Sequence, residues 1–188
     1  LSICIWQSFF YIGGEVSLEQ YNPLVLLLGV FVLILGLITV ARILRECSEK
    51  VLARISIILL TLILIELIIF GFGLIYLPPY DLLHVHAEAV NMLDTGKIEN
   101  IPYYAKYPNQ QPITILLYFV FSFAKFLGFT NYNVVGIAFN IFAIFLSSYF
   151  VYKICCFWSL RAGVTSLFLF VIDPMLFIWA SHYYTDTI

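Results

Sequence analysis

Titratable side chains are concentrated in the stretch DLLHVHAEAVNMLDTG, residues 81–96. Plotted at 100° per residue, the polar residues within about 80° of Asp81 are His84, Glu88, Asn91 and Thr95. The neighbouring sector is apolar and holds Leu82, Val85, Ala89, Met92 and Leu93, while His86 points elsewhere. This pattern predicts an amphipathic surface helix that begins at or near Asp81, after Pro78 and Pro79, and ends at Gly96. A carboxylate there can act as a general base, and the alternative is a solvated polar face with Asp81 as an N-cap.

Two further polar segments could contribute to the same site. The stretch YYAKYPNQQP, residues 103–112, is aromatic, basic and rich in amides, and SHYYTDT, residues 181–187, carries His182 and Asp186. Polar groups that converge from separate segments are typical of a binding cleft.

The composition places these segments at a membrane. Hydrophobic residues make up 63% of the chain, charged residues only 11%, and the mean hydropathy is +1.01. Soluble domains are about half apolar and about a quarter charged, so the sequence predicts an all-α polytopic membrane protein. It begins at Leu1 without a basic flank and ends directly after a polar motif, which suggests a fragment. The four cysteines show no spacing typical of a zinc site or a disulfide framework.

A transmembrane helix needs about 20 apolar residues. The predicted spans are 24–41, 55–77, 134–152 and 162–180, and 1–12 resembles the end of a further span. Segment 112–128 has only about a dozen apolar residues before Lys125, too few to cross, and an interfacial helix is the favoured interpretation.

The basic residues favour one topology. Arg42, Arg45, Lys50 and Arg54 precede one span, and Lys153 and Arg161 bracket the loop KICCFWSLR, whereas 78–133 contains only three lysines. Cytoplasmic loops are enriched in Lys and Arg, so both dense loops are expected inside and 78–133 outside. This requires that 112–128 stays at the outer interface.

Two acidic residues lie in predicted spans, Glu66 in mid-span and Asp173 before Pro174. A charge there costs several kcal/mol, so each is expected to be protonated or paired. A proton relay would indicate a transporter, although neither span has the interrupted, repeated pattern of transporters, and Asp173 with Pro174 can instead mark a helix kink.

The order of these features resembles the GT-C superfamily of membrane glycosyltransferases, in particular the protein O-mannosyltransferase and aminoarabinose-transferase branch. The resemblance covers about residues 50–188 and lies in the basic loop, the outward span, Asp81 just past its end, HAEAVNMLDTG, YYAKYPNQQP, an interfacial helix, two spans and SHYYTDT. It implies two parts, residues 1–54 with amino-terminal spans and the basic loop, and residues 55–188 with the amino-terminal part of a catalytic domain.

The resemblance implies transfer of a sugar from a polyprenyl-phosphate donor to an acceptor at the outer face, with inversion. It assigns catalysis to Asp81 and Asp186, and contact with the lipid phosphate to Lys106. The family often has two adjacent acidic residues, but here Tyr80 and Leu82 flank Asp81. A leaving phosphate develops negative charge, which a lysine or a divalent cation can offset, and the sequence identifies no cofactor.

The remaining candidate substrate contacts are Tyr107, Asn109, Gln110, His84, Glu88 and His182. Interfacial tyrosines also serve as membrane anchors, and single histidines are more often structural than metal ligands. The expected partners are the donor lipid, the bilayer and an unidentified acceptor, with no nucleic acid. The expected location is a plasma membrane, with a bacterial one favoured by the absence of an Asn-X-Ser/Thr sequon. A transporter or flippase of lipid-linked sugars and a non-catalytic scaffold are the alternatives.

Overall fold

The computed structural model describes residues 23–73, 81–173, 176–177 and 179–183. This part of the chain is helical and contains no β-strand. The α-helices are α1 (Pro23–Glu46), α2 (Glu49–Gly73), α3 (Asp81–Thr95), α4 (Ile101–Lys106), α5 (Gln111–Phe126), α6 (Tyr132–Cys156) and α7 (Leu160–Ile172). Two short 3₁₀ turns, Pro108–Gln110 and Trp179–Ser181, complete it.

Three helices of the described part are long and apolar enough to cross a membrane: Leu27–Glu46 within α1, Glu49–Gly73 and Tyr132–Cys156. They correspond to the predicted spans 24–41, 55–77 and 134–152, each extended by additional helical residues. The predicted partial span 1–12 and residues 74–77 lie outside the described residues.

The predicted continuous span 162–180 is wrong, because α7 ends at Ile172. Asp173 has an extended backbone, with φ −87° and ψ 100°. The next residue in the sequence is a proline, which disfavours helical geometry at the residue before it. Further along, Trp179–Ser181 form a separate 3₁₀ turn.

The apolar core of the bundle lies where α2, α6 and α7 pack against one another. Small residues allow close approach: a Cβ added at Gly71 of α2 would lie 2.7 Å from the Ile141 side chain of α6. Likewise, a Cβ at Gly163 of α7 would collide with Cys156 Sγ. Close packing through small residues is the usual way that helices associate in lipid, where the solvent offers little hydrophobic driving force.

Helices α3 and α5 form a second layer, which reaches the bundle where α5 packs on α6. Val85, Leu117 and Phe121 are fully buried between them. The predicted helix is confirmed in its bounds: α3 begins at Asp81 and ends at Thr95, before Gly96, which adopts a positive φ of 70°. At 1.5 Å per residue, the 16 residues of α5 extend about 24 Å, less than a hydrocarbon core of about 30 Å.

The two basic loops lie at the same end of the bundle. The Arg161 guanidinium, at the start of α7, donates a hydrogen bond of 2.9 Å to the backbone carbonyl of Arg45, near the end of α1. The last carbonyls of a helix have no partner within the helix and attract cations, so this contact stabilises the end of α1.

Replacement of Gly136 by alanine should destabilise the fold, because a Cβ there would lie 2.7 Å from the rigid ring of Tyr183. We expect a loss of about 1–3 kcal/mol, the usual cost of overpacking. Gly73→Ala is the matched control, since nothing lies within 4 Å of its Cβ position. Thermal unfolding of both variants measures the difference, and equal midpoints would contradict the packing described here.

Candidate functional site

The Asp81 carboxylate lies at the start of α3 and accepts a hydrogen bond of 3.0 Å from the Tyr103 hydroxyl in α4. Both side chains are half-buried. The contact joins the two polar segments that the sequence predicts to converge, DLLHVHAEAVNMLDTG and YYAKYPNQQP. The orientation of the carboxylate is therefore set by a residue from another helix.

An aromatic series extends from Asp81 to Lys106. The Tyr103 ring lies 4.7 Å from the His84 ring and 5.2 Å from the Tyr107 ring, measured between centroids. The Lys106 ammonium lies 5.1 Å from the centroid of Tyr107, within cation–π distance. We call these five residues, Asp81, His84, Tyr103, Tyr107 and Lys106, the Asp81 cluster. It holds a carboxylate and an exposed cation at opposite ends of one row of rings.

Glu88 helps to position the Asp81 cluster by holding the start of α4. Its side chain is 6% exposed, and its Oε1 accepts hydrogen bonds from the backbone N–H of Asn100, at 3.2 Å, and of Glu99. Asn100 in turn caps α4, since its side chain accepts a bond from the N–H of Tyr103. The first N–H groups of a helix need such acceptors. Glu88 therefore anchors the start of α4, and its predicted role as a substrate contact has no support in this geometry.

A buried polar chain also supports α4. The Tyr104 hydroxyl lies 2.7 Å from Thr114 Oγ1, and Thr114 donates to the carbonyl of Gln110 at 2.8 Å. Thr114 uses its proton in that bond, so Tyr104 is the donor to Thr114. Desolvation raises the pKa of Tyr104, assisted by the charge of Glu88, so the phenol remains protonated. Gln110, a predicted substrate contact, is buried at 3% exposure, whereas Asn109 is exposed in the turn before α5.

A second polar cluster forms where three distant segments meet, and it was missed in the sequence. The fully buried Tyr183 has its hydroxyl 2.7 Å from His86 Nδ1 in α3 and donates to Asn133 Oδ1 in α6 at 2.8 Å. Because the hydroxyl proton goes to Asn133, His86 must donate from Nδ1 and carries its proton there. The His86 ring also packs edge-on against Phe121 at 5.4 Å. We call His86, Asn133 and Tyr183 the Tyr183 cluster.

His182 lies beside Tyr183 but has different neighbours. Its Nδ1 is 2.8 Å from the Ser181 hydroxyl, and its ring meets Trp179 edge-on at 5.4 Å. Its backbone carbonyl accepts a bond of 3.1 Å from Asn140 Nδ2, which also binds the carbonyls of Trp179 and Ala180. The fully buried Asn140 thus fixes the 3₁₀ turn against α6.

The predicted site residues therefore separate into groups. Asp81, His84, Lys106 and Tyr107 come together in the Asp81 cluster. His182 lies beside Tyr183, whose hydroxyl contacts His86 of α3. His84 and His86 are about 160° apart around the helix, so the two clusters occupy different sides of α3. Asp186, the second predicted catalytic residue, lies outside the described residues.

One residue of the Tyr183 cluster, His86, is weakly indicated by the sequence. His86 follows directly on the buried Val85 and falls outside the polar sector of α3, which marks a polar side chain that needs a partner inside the protein. The identity of that partner, 97 residues away in the chain, could not be read from the pattern.

No group of three or more His, Cys, Asp or Glu side chains in the described part of the chain could hold a metal ion. Searches of protein-family models, of curated proteins and of solved structures give no match to this chain.

Burial makes His86 a source of pH-dependent stability. Desolvation lowers the pKa of its imidazole below the ordinary value of 6.5. As the pH falls through that value, the unfolded chain takes up a proton that the folded chain resists, so stability decreases. The thermal midpoint should therefore drop between about pH 7.5 and about pH 5.5, and His86→Gln should reduce the drop. The control is His84→Gln, which replaces an exposed histidine on the other side of α3. An equal reduction of the drop in both variants would contradict the role of His86.

Proposed function

We propose that the chain is the amino-terminal part of a membrane glycosyltransferase of the GT-C type. The enzyme would transfer a sugar from a polyprenyl-phosphate carrier to an acceptor hydroxyl at the outer face of a bacterial plasma membrane. Residues 55–188 would contribute its catalytic portion, and residues 1–54 the preceding spans and basic loop.

The observation that carries this proposal is the Asp81 cluster. It combines a carboxylate that is held by the Tyr103 hydroxyl with an exposed lysine, joined through two tyrosine rings. Glycosyl transfer from a phosphate needs a base for the attacking hydroxyl and a cation for the leaving phosphate. Aromatic rings suit the apolar faces of a sugar, and the hydroxyl groups of the tyrosines suit its polar edges.

In the proposed reaction the acceptor hydroxyl gives its proton to the Asp81 carboxylate as its oxygen bonds to the anomeric carbon. The bond from that carbon to the phosphate oxygen breaks, and the electron pair remains on the phosphate. Attack opposite the leaving group inverts the configuration at the anomeric carbon. The Tyr103 hydroxyl keeps the carboxylate in position, which is the contribution expected of a preorganised base.

Lys106 would offset the charge that develops on the departing phosphate. Its exposed ammonium lies over Tyr107, where a lipid phosphate can approach from the bilayer surface. His84 and Asn109 are exposed and can contact the sugar or the headgroup. A divalent cation is the alternative to Lys106 for offsetting that charge. Asp186 would be the second catalytic acidic residue, as the resemblance implies.

The contact between Arg161 and Arg45 supports the proposed topology. It joins both basic loops at one end of the bundle, and basic loops are retained in the cytoplasm. The chain would leave through α2 and return through α6, so 78–133 would remain outside. The short α5, packed on α3, is consistent with an interfacial helix that does not cross.

A transporter or flippase of lipid-linked sugars is the second candidate, and Glu66 favours it. This residue lies in α2, and its Oε2 is buried and accepts no hydrogen bond from the described residues. An acidic group within a span is a recurrent feature of proton-coupled transport. The Asp81 cluster would then only bind substrate.

Asp81→Asn should reduce sugar transfer about 10²–10⁴-fold, the usual contribution of a general base. The assay follows transfer of radiolabelled sugar from a polyprenyl phosphate in membranes that contain the full-length protein. Asp94→Asn is the matched control, since Asp94 is an exposed aspartate of the same helix, paired with Lys125. Undiminished transfer by Asp81→Asn would refute the proposed base.

Glu66→Gln, tested in the same membranes, separates the two candidates. A transferase should retain its activity per folded molecule, whereas a proton-coupled transporter should lose movement of the lipid-linked sugar.

Cysteine labelling tests the topology in a background without the native cysteines. A membrane-impermeant thiol reagent added outside should label Lys97→Cys and should not label Ser159→Cys until the membrane is permeabilised. Both positions are exposed in loops, so accessibility to the reagent reports sidedness. Labelling of Ser159→Cys in sealed cells would show that the chain crosses once more, at 112–128 or elsewhere.

A further inference from the structure

The end of the bundle opposite the Asp81 cluster carries a dense basic surface. Its six basic side chains are all exposed and come from the end of α1, the start of α2, the end of α6 and the start of α7: Arg42, Arg45, Lys50, Arg54, Lys153 and Arg161. The bond from Arg161 to the Arg45 carbonyl holds the two loops together. We call this surface, residues 42–54 and 153–161, the basic end.

The positive charge of the basic end is not neutralised within the described part of the chain. Two carboxylates, Glu46 and Glu49, also lie there, against six cations. The ion pairs that the described residues form are elsewhere, between Lys97 and Glu99 and between Lys125 and Asp94. The cations of the basic end are therefore available to an external anion.

Two large aromatic side chains project from the same end. Phe157 is 89% exposed and Trp158 is 78% exposed, in the tight turn between Lys153 and Arg161. The turn is rigid, because the N–H groups of Phe157, Trp158 and Ser159 bond to carbonyls of the last turn of α6 and the Ser159 hydroxyl caps α7. Exposed aromatic residues between basic ones are typical of proteins that sit in the headgroup layer.

We propose that the basic end binds anionic phospholipids. The basic side chains contact the headgroup phosphates, and the rings of Phe157 and Trp158 insert between the headgroups at the level of the ester groups. An anionic phospholipid can contact both the cations and the apolar rings of the basic end. A soluble anion could contact the cations alone. This inference is independent of the proposed sugar transfer, since the two sites lie at different ends of the bundle.

The fluorescence of Trp158 provides the test, in full-length protein in which every other tryptophan, including Trp6 and Trp179, is replaced by phenylalanine. The protein is reconstituted in phosphatidylcholine nanodiscs. Brominated phosphatidylglycerol quenches tryptophan on contact and is compared with brominated phosphatidylcholine at the same fraction. We expect quenching by phosphatidylglycerol at a several-fold lower fraction of brominated lipid, and the preference should decrease as salt is raised.

The variant Arg42→Gln, Arg45→Gln and Lys153→Gln removes three charges and leaves the carbonyl that accepts from Arg161 in place. Each basic residue near an anionic surface strengthens binding about five-fold, so removing three should abolish the preference for phosphatidylglycerol. The control is Lys97→Gln with Lys125→Gln, which removes two ion-paired lysines at the other end. A thermal midpoint within a few degrees of the parent shows that each variant is folded.

An equal response to both lipids in the parent protein would overturn the proposal, as would a preference that survives the triple substitution. Inorganic phosphate is added at ionic strength matched with sodium chloride. If phosphate alone restores the fluorescence, the surface binds small anions and the assignment to phospholipid is wrong. Retained quenching under phosphate supports it.

Discussion

The hydroxyl of Tyr183 is the point where the separate parts of the structure are joined. It is completely buried, and a buried hydroxyl without partners costs about 1–3 kcal/mol, so its position is tied to His86 and Asn133. Its ring occupies space that only a glycine at position 136 leaves open. These contacts place α3, the first turn of α6 and the segment after α7 at fixed positions. The surface layer is thereby attached to the bundle by specific polar contacts in addition to apolar packing.

Two carboxylates on α3 show how burial separates structural from chemical roles. Glu88 is 6% exposed and accepts bonds from two backbone N–H groups at the start of α4. Asp81 is half-buried, lies at the start of the same helix, and accepts a hydrogen bond from the Tyr103 hydroxyl. On a helical wheel the two residues share a sector, and only the loop that covers Glu88 distinguishes them. That loop leads into α4, which carries Tyr103 and ends before Tyr107. Glu88 therefore holds the start of the helix whose Tyr103 belongs to the Asp81 cluster.

Much of the local structure could be predicted from the sequence. Asp81 begins α3 and Gly96 ends it, because a proline pair, a helical apolar period and a residue that tolerates positive φ are local signals. The span over α6 was equally clear. The end of α7 was not, because apolar composition continues past Pro174 and a window of hydropathy does not register a change of backbone conformation.

The long-range contacts of the site could not be predicted, for a physical reason. The polar sector of α3 gives the direction of His84 and Glu88 but not what covers them, so periodicity does not distinguish the two residues. Only Glu88 is covered, by the backbone of Glu99 and Asn100. The partner of His86 depends on the path of the chain through α6 and α7, which local spacing does not encode.

The depth of the Asp81 cluster relative to the bilayer bears on the kind of donor that the proposed enzyme could use. The cluster follows the apolar α2 closely in sequence, and the adjacent α5 exposes a row of phenylalanines, Phe119, Phe123 and Phe126, at helical spacing. Such a row is solvated by lipid at low cost and by water at high cost, so α5 favours a position in the interface. A carboxylate and a lysine on the helix and turn beside it would then lie at headgroup depth. A polyprenyl-linked donor presents its phosphate at that same depth, because its hydrocarbon chain cannot leave the bilayer, whereas a soluble nucleotide donor would gain nothing from it. The arrangement of α3 and α5 is thus consistent with the lipid-linked donor that we propose.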